Sequence, residues 1–202
     1  MHTLIVTSHP NPDALTHAVA RRIAEGITST GVGATAELAD LSAEGFDPRF
    51  NQDDMKGHQR EAPFPADVLA EQARLDRADA LVLVFPVYWW SMPALMKGWI
   101  DRVFSNGWAY DDSSGQGVLK KLGHLPIHLV GLGGADERTW HKRGYTDAMK
   151  IQIETGIFDY CGAPIRSSTL LLETDSGDAS AHLSTASALG RRIATPPDEA
   201  AC

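Results

Sequence analysis

Residues 80–104 read Ala80-Leu81-Val82-Leu83-Val84-Phe85-Pro86-Val87-Tyr88-Trp89-Trp90-Ser91-Met92-Pro93-Ala94-Leu95-Met96-Lys97-Gly98-Trp99-Ile100-Asp101-Arg102-Val103-Phe104. The run Ala80 to Phe85 is continuously apolar and stops at a proline, as a strand buried on both faces of a parallel sheet does. Three aromatics follow at once. Ser91 and Pro93 then act as helix start signals, and Leu95, Trp99, Ile100 and Val103 recur at helical spacing. Aromatics gathered between the end of a buried strand and a helix contribute little as core. They suit the wall of a flat site, because open α/β sheets bind ligands outside the carboxyl ends of their strands.

Working outward, the same strand-then-helix unit recurs. Leu4 to Thr7 reads as a strand, followed by the turn Ser8-His9-Pro10-Asn11-Pro12-Asp13. Asn11 or Asp13 is positioned to cap a helix carrying Leu15, Val19, Ile23 and Ile27 on one face. Ala34 to Leu38 is a second strand and 66–78 a helix. Ile127 to Val130 is a fourth strand, ending in Gly131-Leu132-Gly133-Gly134. A charged loop then runs to Tyr145, and a helix passes through Ile151, Ile157 and Phe158 to Gly162. Ser168 to Leu172 and a helix over 179–194 complete the series. Five such units predict an α/β fold with a doubly wound parallel sheet. We expect one domain over 1–195 and a disordered tail at 196–202. The polar stretch 42–65 is long for a plain connection.

The 202 residues suffice for a core without staples. A net charge of −8 disfavours nucleic acid as a partner. Two cysteines, Cys161 and Cys202, are too few for a disulfide framework or a zinc site, and Cys161 reads as a small buried hydrophobe. Met1-His2-Thr3-Leu4 enters a strand without a leader, and no apolar run approaches the roughly 18 residues of a membrane span. A cytoplasmic protein with no membrane insertion is the expectation. There is no Gly-x-Ser-x-Gly elbow, no Gly-x-x-x-x-Gly-Lys-Ser/Thr loop, no Gly-x-Gly-x-x-Gly after the first strand and no metal-ligand spacing.

Three strand ends carry the chemistry: Ser8-His9, Pro86 to Trp90, and Gly131 to Gly134. Right-handed connections bring them to one sheet edge. Amides at the start of the first helix suit a phosphate, the glycines allow close backbone approach to a ring, and the aromatics form an apolar wall. A flavin is the first candidate. Each element also has a plain role: His9 as a turn residue, Trp89 and Trp90 as core or dimer-interface residues, the glycines as ordinary turn chemistry.

Together these residues resemble the flavodoxin-like NAD(P)H:quinone oxidoreductases, a group that includes the mammalian quinone reductases and the bacterial ancillary subunits of potassium efflux systems. The likeness is specific over Phe85 to Phe104, continues through Gly107-Trp108-Ala109-Tyr110, and extends loosely over nearly the whole chain. It implies a five-stranded sheet in the order 2-1-3-4-5, a homodimer, and two-electron ping-pong transfer of hydride from NAD(P)H through flavin N5 to quinones, with azo or nitro compounds as further acceptors. By position, it implies His9, Leu15 and Thr16 at the phosphates. Pro86, Val87, Tyr88, Trp89 and Trp90 would form one cradle, and Gly131, Leu132, Gly133 and Gly134 the other, here without the family's threonines. Trp140 and Tyr145, with His141 adjacent, stand where mammalian members place a tyrosine and a histidine over the flavin. The long 42–65 link matches FAD-binding members; FMN is the alternative. A regulatory role as the flavoprotein subunit of a transporter is the alternative function.

Overall fold

The computed structural model describes residues 1–31, 33–172 and 179–195. The expected tail at 196–202, with Cys202, lies outside them. The chain runs β1 (His2–Thr7), α1 (Leu15–Thr28), β2 (Thr35–Asp40), α2 (Gln52–His58), α3 (Ala66–Asp76), β3 (Ala80–Pro86), α4 (Ala94–Val103), β4 (Tyr110–Asp111), β5 (Leu119–Lys120), β6 (Ile127–Gly133), α5 (Glu137–Arg143), α6 (Tyr145–Met149), a π-helix Lys150–Asp159, β7 (Ile165–Leu172) and α7 (Ser180–Ala194). The main sheet is parallel, in the spatial order β2-β1-β3-β6-β7. Counting only its own strands, that is 2-1-3-4-5, the flavodoxin-like order.

The central strand β3 is buried at every position, which is why its sequence shows no alternation. One face of the sheet packs Leu81, Leu83, Leu129 and Phe85 against α4 and the π-helix. The other packs Ile5, Val82, Val84 and Val130 against α1 and α7. Those two helices approach closely because glycines meet: a Cβ on Gly26 would strike Ser187 O, and one on Gly190 would strike Ile23 O. Cys161 is buried, and desolvation pushes its thiol up to about 11, so it behaves as the small hydrophobe its context suggests.

Several local expectations are corrected. Neither Asn11 nor Asp13 caps α1; its N-cap is Ala14, with no side-chain bond, because Asn11 Oδ1 instead accepts from Asp13 N at 3.0 Å in a turn. The charged stretch after Gly134 contains α5, capped by Asp136, whose carboxylate accepts from Thr139 N at 2.8 Å. Glu137 lies in its first turn, His141, Lys142 and Arg143 in its last, and Gly144 ends it at φ 69°; this is the charge order a helix dipole favours. The helix through Ile151 to Phe158 is wound as a π-helix. The 42–65 link contains α2, which Asn51 and Asp54 close with a reciprocal capping box.

Candidate active site

The register of β1, β3 and β6 places the three strand ends side by side: Thr7 pairs with Val84, and Pro86 with Leu132. The loop after β3 makes a turn in which Tyr88 N donates to Ser91 O at 3.0 Å and Ser91 N to Tyr88 O at 3.1 Å. The two residues between, Trp89 and Trp90, have φ of 50° and 59°. Paired positive φ is the geometry of a type I′ turn, ordinarily filled by Asn-Gly. Holding L-residues there costs about 1–2 kcal/mol each, and strain of this kind gathers at functional sites.

The strain directs the two indoles oppositely. Trp90 folds inward: its ring stacks on Tyr145 at 3.5 Å between centroids and 9° between planes, and meets Trp140 edge-on at 5.1 Å. Two such contacts at about 0.5–1.5 kcal/mol each offset its backbone cost. Trp89 is 93% exposed and recovers nothing. Trp89→Asn is therefore expected to stabilise the protein by about 1 kcal/mol, raising Tm by roughly 2–4 °C. A fall in Tm would show that Trp89 packs against something in solution. Ser91 Oγ bonds Gln152 Oε1, tying the turn to the π-helix.

A cavity of about 220 Å³ lies between this turn and the end of β6, lined by Val87, Trp89, Trp90, Gly133, Gly134, Ala135 and Trp140. A Cβ on Gly133 would come 2.9 Å from Leu172 Cδ2 and 3.0 Å from Trp140 Cζ2, so a larger residue there would displace the leucine or the indole. Trp140 is 1% exposed, and its Nε1 has no hydrogen-bond partner. A buried donor left so is a group awaiting an acceptor.

Of the residues singled out from sequence, Val87, Trp89, Trp90, Gly133, Gly134 and Trp140 line this cavity, and Tyr145 joins through its stack. Pro86, Tyr88 and Leu132 flank it. Gly131 lines a second, larger cavity of about 410 Å³ behind Trp140. His141 points away, exposed and 3.5 Å from Glu137. His9, Leu15 and Thr16 sit at the neighbouring strand end, outside both cavities. Sequence reading missed Ala135 and His17. The His17 ring is buried, with Nδ1 3.2 Å from Thr7 Oγ1 and 3.7 Å from Asp40 Oδ2, and Nε2 3.3 Å from His9 O. It ties the ends of β1 and β2 to the His9 turn. Its place beside Thr16 on the face of α1 carrying Val19 and Ala20 was the available signal.

A family model described as flavodoxin-like fold matches residues 1–191. A ribosyldihydronicotinamide dehydrogenase-like protein of Penicillium crustosum is 31% identical over 189 residues, covering 80% of this chain and 69% of its own. The chain belongs to the flavodoxin-like NAD(P)H:quinone oxidoreductase family. The ribosyldihydronicotinamide dehydrogenase (quinone) of Mus musculus is 28% identical over 180 residues, covering 79% of this chain and 76% of its own. Among solved structures, the NAD(P)H:quinone oxidoreductase from Methanothermobacter marburgensis superimposes with a TM-score of 0.85 at 26% identity, covering 96% of this chain and 98% of that one. The strained tryptophan turn and the glycines opposite it are two walls of one cavity at the carboxyl edge of the sheet. No helix among the described residues is long and apolar enough to cross a membrane.

Proposed function

We propose that the protein is a flavin-dependent NAD(P)H:quinone oxidoreductase, acting as one domain over 1–195 and as a homodimer. The observation that carries this reading is the cavity between the Tyr88–Ser91 turn and Gly133–Ala135, in a chain of this family. Its fit to a flavin ring is supported by the bare main chain of Gly133 and Gly134 on its lining and by the orphaned Trp140 N–H. At about 220 Å³ it is smaller than the roughly 300 Å³ at which whole-ligand pockets begin. It suits the ring system alone, with the phosphate end directed along the sheet edge toward His9, Leu15 and Thr16.

When bound, the flavin supplies two-electron hydride chemistry at N5, which a ping-pong cycle uses between NAD(P)H and quinone. The protein supplies the rest. Val87 and Trp90 form an apolar wall, with Trp89 at its open rim. The main chain at Gly133 and Gly134 brings fixed amide dipoles close, and such dipoles stabilise charge without reorganising. Trp140 Nε1 is the side-chain donor we assign to the far wall, and Tyr145, stacked on Trp90, is the proton donor we assign beside it. FAD is the cofactor we propose, with FMN the alternative, on the likeness of the 42–65 link to FAD-binding members.

The purified protein is expected to show a flavin spectrum that bleaches with NAD(P)H and recovers on adding menadione. Acid release and chromatography distinguish FAD from FMN. A colourless protein that cannot be reconstituted with either would sink the proposal. Tyr145→Phe keeps the stack on Trp90 and removes only the hydroxyl, so kcat is expected to fall by about 10-fold to 100-fold, the low end of what one positioned proton donor contributes. Unchanged turnover with menadione would remove Tyr145 from the mechanism.

A further inference from the structure

We propose that the larger cavity, behind Trp140, is a second ligand site that takes a small amphipathic carboxylate: a ring or short apolar body bearing one acidic group. The cavity measures about 410 Å³, within the range of small-molecule sites. It exists because the side chains around it do not fill the space under the π-helix. Gly131 offers no side chain on β6, and its neighbour across the ladder, Leu170, is preceded by the small Ser168. Above them the π-helix buries only Ile153 and Phe158. π-Helical winding inside a fold is rare and is found mostly at functional sites.

The lining is divided by chemistry. Phe85, Leu129 and Ile153 make an apolar floor, while Lys150, Arg166 and Glu154 stand around it. Lys150 and Arg166 are exposed, and no carboxylate among the described residues forms an ion pair with either. With Glu154 as the one acid on the lining, the mouth carries a net positive charge. That favours an anion whose body reaches the floor.

Trp140 lines this cavity as well as the smaller one and forms the partition between them. A carboxylate meeting Lys150 or Arg166 at the mouth makes a charge-assisted hydrogen bond, about twice as strong as a neutral one. The site is separate from the proposed flavin site: its floor and cations belong to other residues, so it stands even if the flavin reading fails.

The test uses the full-length protein as purified, with 2-naphthoate as probe and 2-naphthamide as its neutral counterpart. Calorimetry is expected to give binding about tenfold tighter or more for the acid, the difference a charge-assisted contact provides. Lys150→Gln/Arg166→Gln, two exposed positions, should remove that preference without changing the menadione rate measured without naphthoate. Ser168→Phe, which fills the cavity, should abolish binding of both probes. In a 1H–15N spectrum the Trp140 indole peak, assigned with Trp140→Phe, should shift when either probe fills the cavity its ring borders, and at lower concentrations of naphthoate than of the amide. Three results would overturn the proposal: no binding up to the solubility limit, an affinity indifferent to the double charge variant, or simple competition with menadione. If Ser168→Phe fails to fold, the charge variants and the indole peak decide.

Discussion

Arg102→Met is expected to destabilise the protein by about 3–5 kcal/mol, the usual result of removing one partner from a buried ion pair. Arg102 is 2% exposed and Asp54 0%. The guanidinium meets Asp54 through Nε at 3.0 Å and Nη2 at 3.2 Å, Asp67 through Nη1 at 2.6 Å, and the carbonyl of Asp47 at 2.8 Å. Its hydrogen bond holds the Asp67 carboxyl below the usual carboxylate range. Without Arg102, Asp67 can turn to water, being half exposed, but Asp54 cannot. The uncompensated buried carboxylate is therefore the main cost. Urea unfolding with a fitted m-value measures it. Arg102→Met/Asp54→Leu removes both charges and should regain most of the loss, leaving about 1 kcal/mol for the cap Asp54 provides to α2. A single-variant loss below about 1 kcal/mol would mean that Asp54 finds another partner. The prediction bears on the 42–65 link as a whole, since Arg102 is what clamps it to α4. Gly98 assists there, for a Cβ would strike Pro48.

Acidification is expected to weaken the fold well before the carboxylates titrate, through His128. This side chain is 9% exposed on β6, with Nδ1 2.8 Å from Ser167 Oγ. Burial pushes its pKa down to about 4 from the ordinary 6.5, with Arg166 and Arg192 adding repulsion. Between those values the unfolded chain binds a proton that the folded protein refuses, so stability falls as pH drops from 6.5 toward 4 and is unaffected above that window. The full loss is about 3 kcal/mol, since each pH unit separating the folded and unfolded pKa is worth about 1.36 kcal/mol. His128→Gln, which keeps an amide for Ser167, should flatten the dependence between about pH 6.5 and 4.5. An equally steep Tm profile in that variant would assign the effect to other groups.

Much of this architecture was readable in advance, for definable reasons. The unbroken apolar run of β3 and the prolines at 86 and 93 bracket the site in one local stretch. The glycines at 133 and 134 announce a place where side chains are excluded. Less readable features depend on partners far along the chain. A type I′ turn at Trp89-Trp90 contradicts local preference, and only the rings of Trp140 and Tyr145, some fifty residues on, make half of it tolerable. His141 is next to Trp140 in sequence, yet α5 turns it to solvent, because adjacent helix positions do not share a face. The capping signals of α5 were present at Asp136 and Gly144 but were hidden by the charge of the stretch.

The sequence by itself determined the layers of the fold and the series of strands and helices, because hydrophobic period and turn chemistry are local properties that each element carries in its own residues; the strand order came only with the family resemblance. Right-handed crossovers narrowed which loops could meet, and the register of β1, β3 and β6 settled it. Tertiary structure alone decided which way the two tryptophans point, that Arg102 anchors the 42–65 link, that His128 is denied its proton, and that a cavity remains beneath the π-helix. Each of these depends on desolvation and on packing between residues distant in sequence, and neither has a local signature.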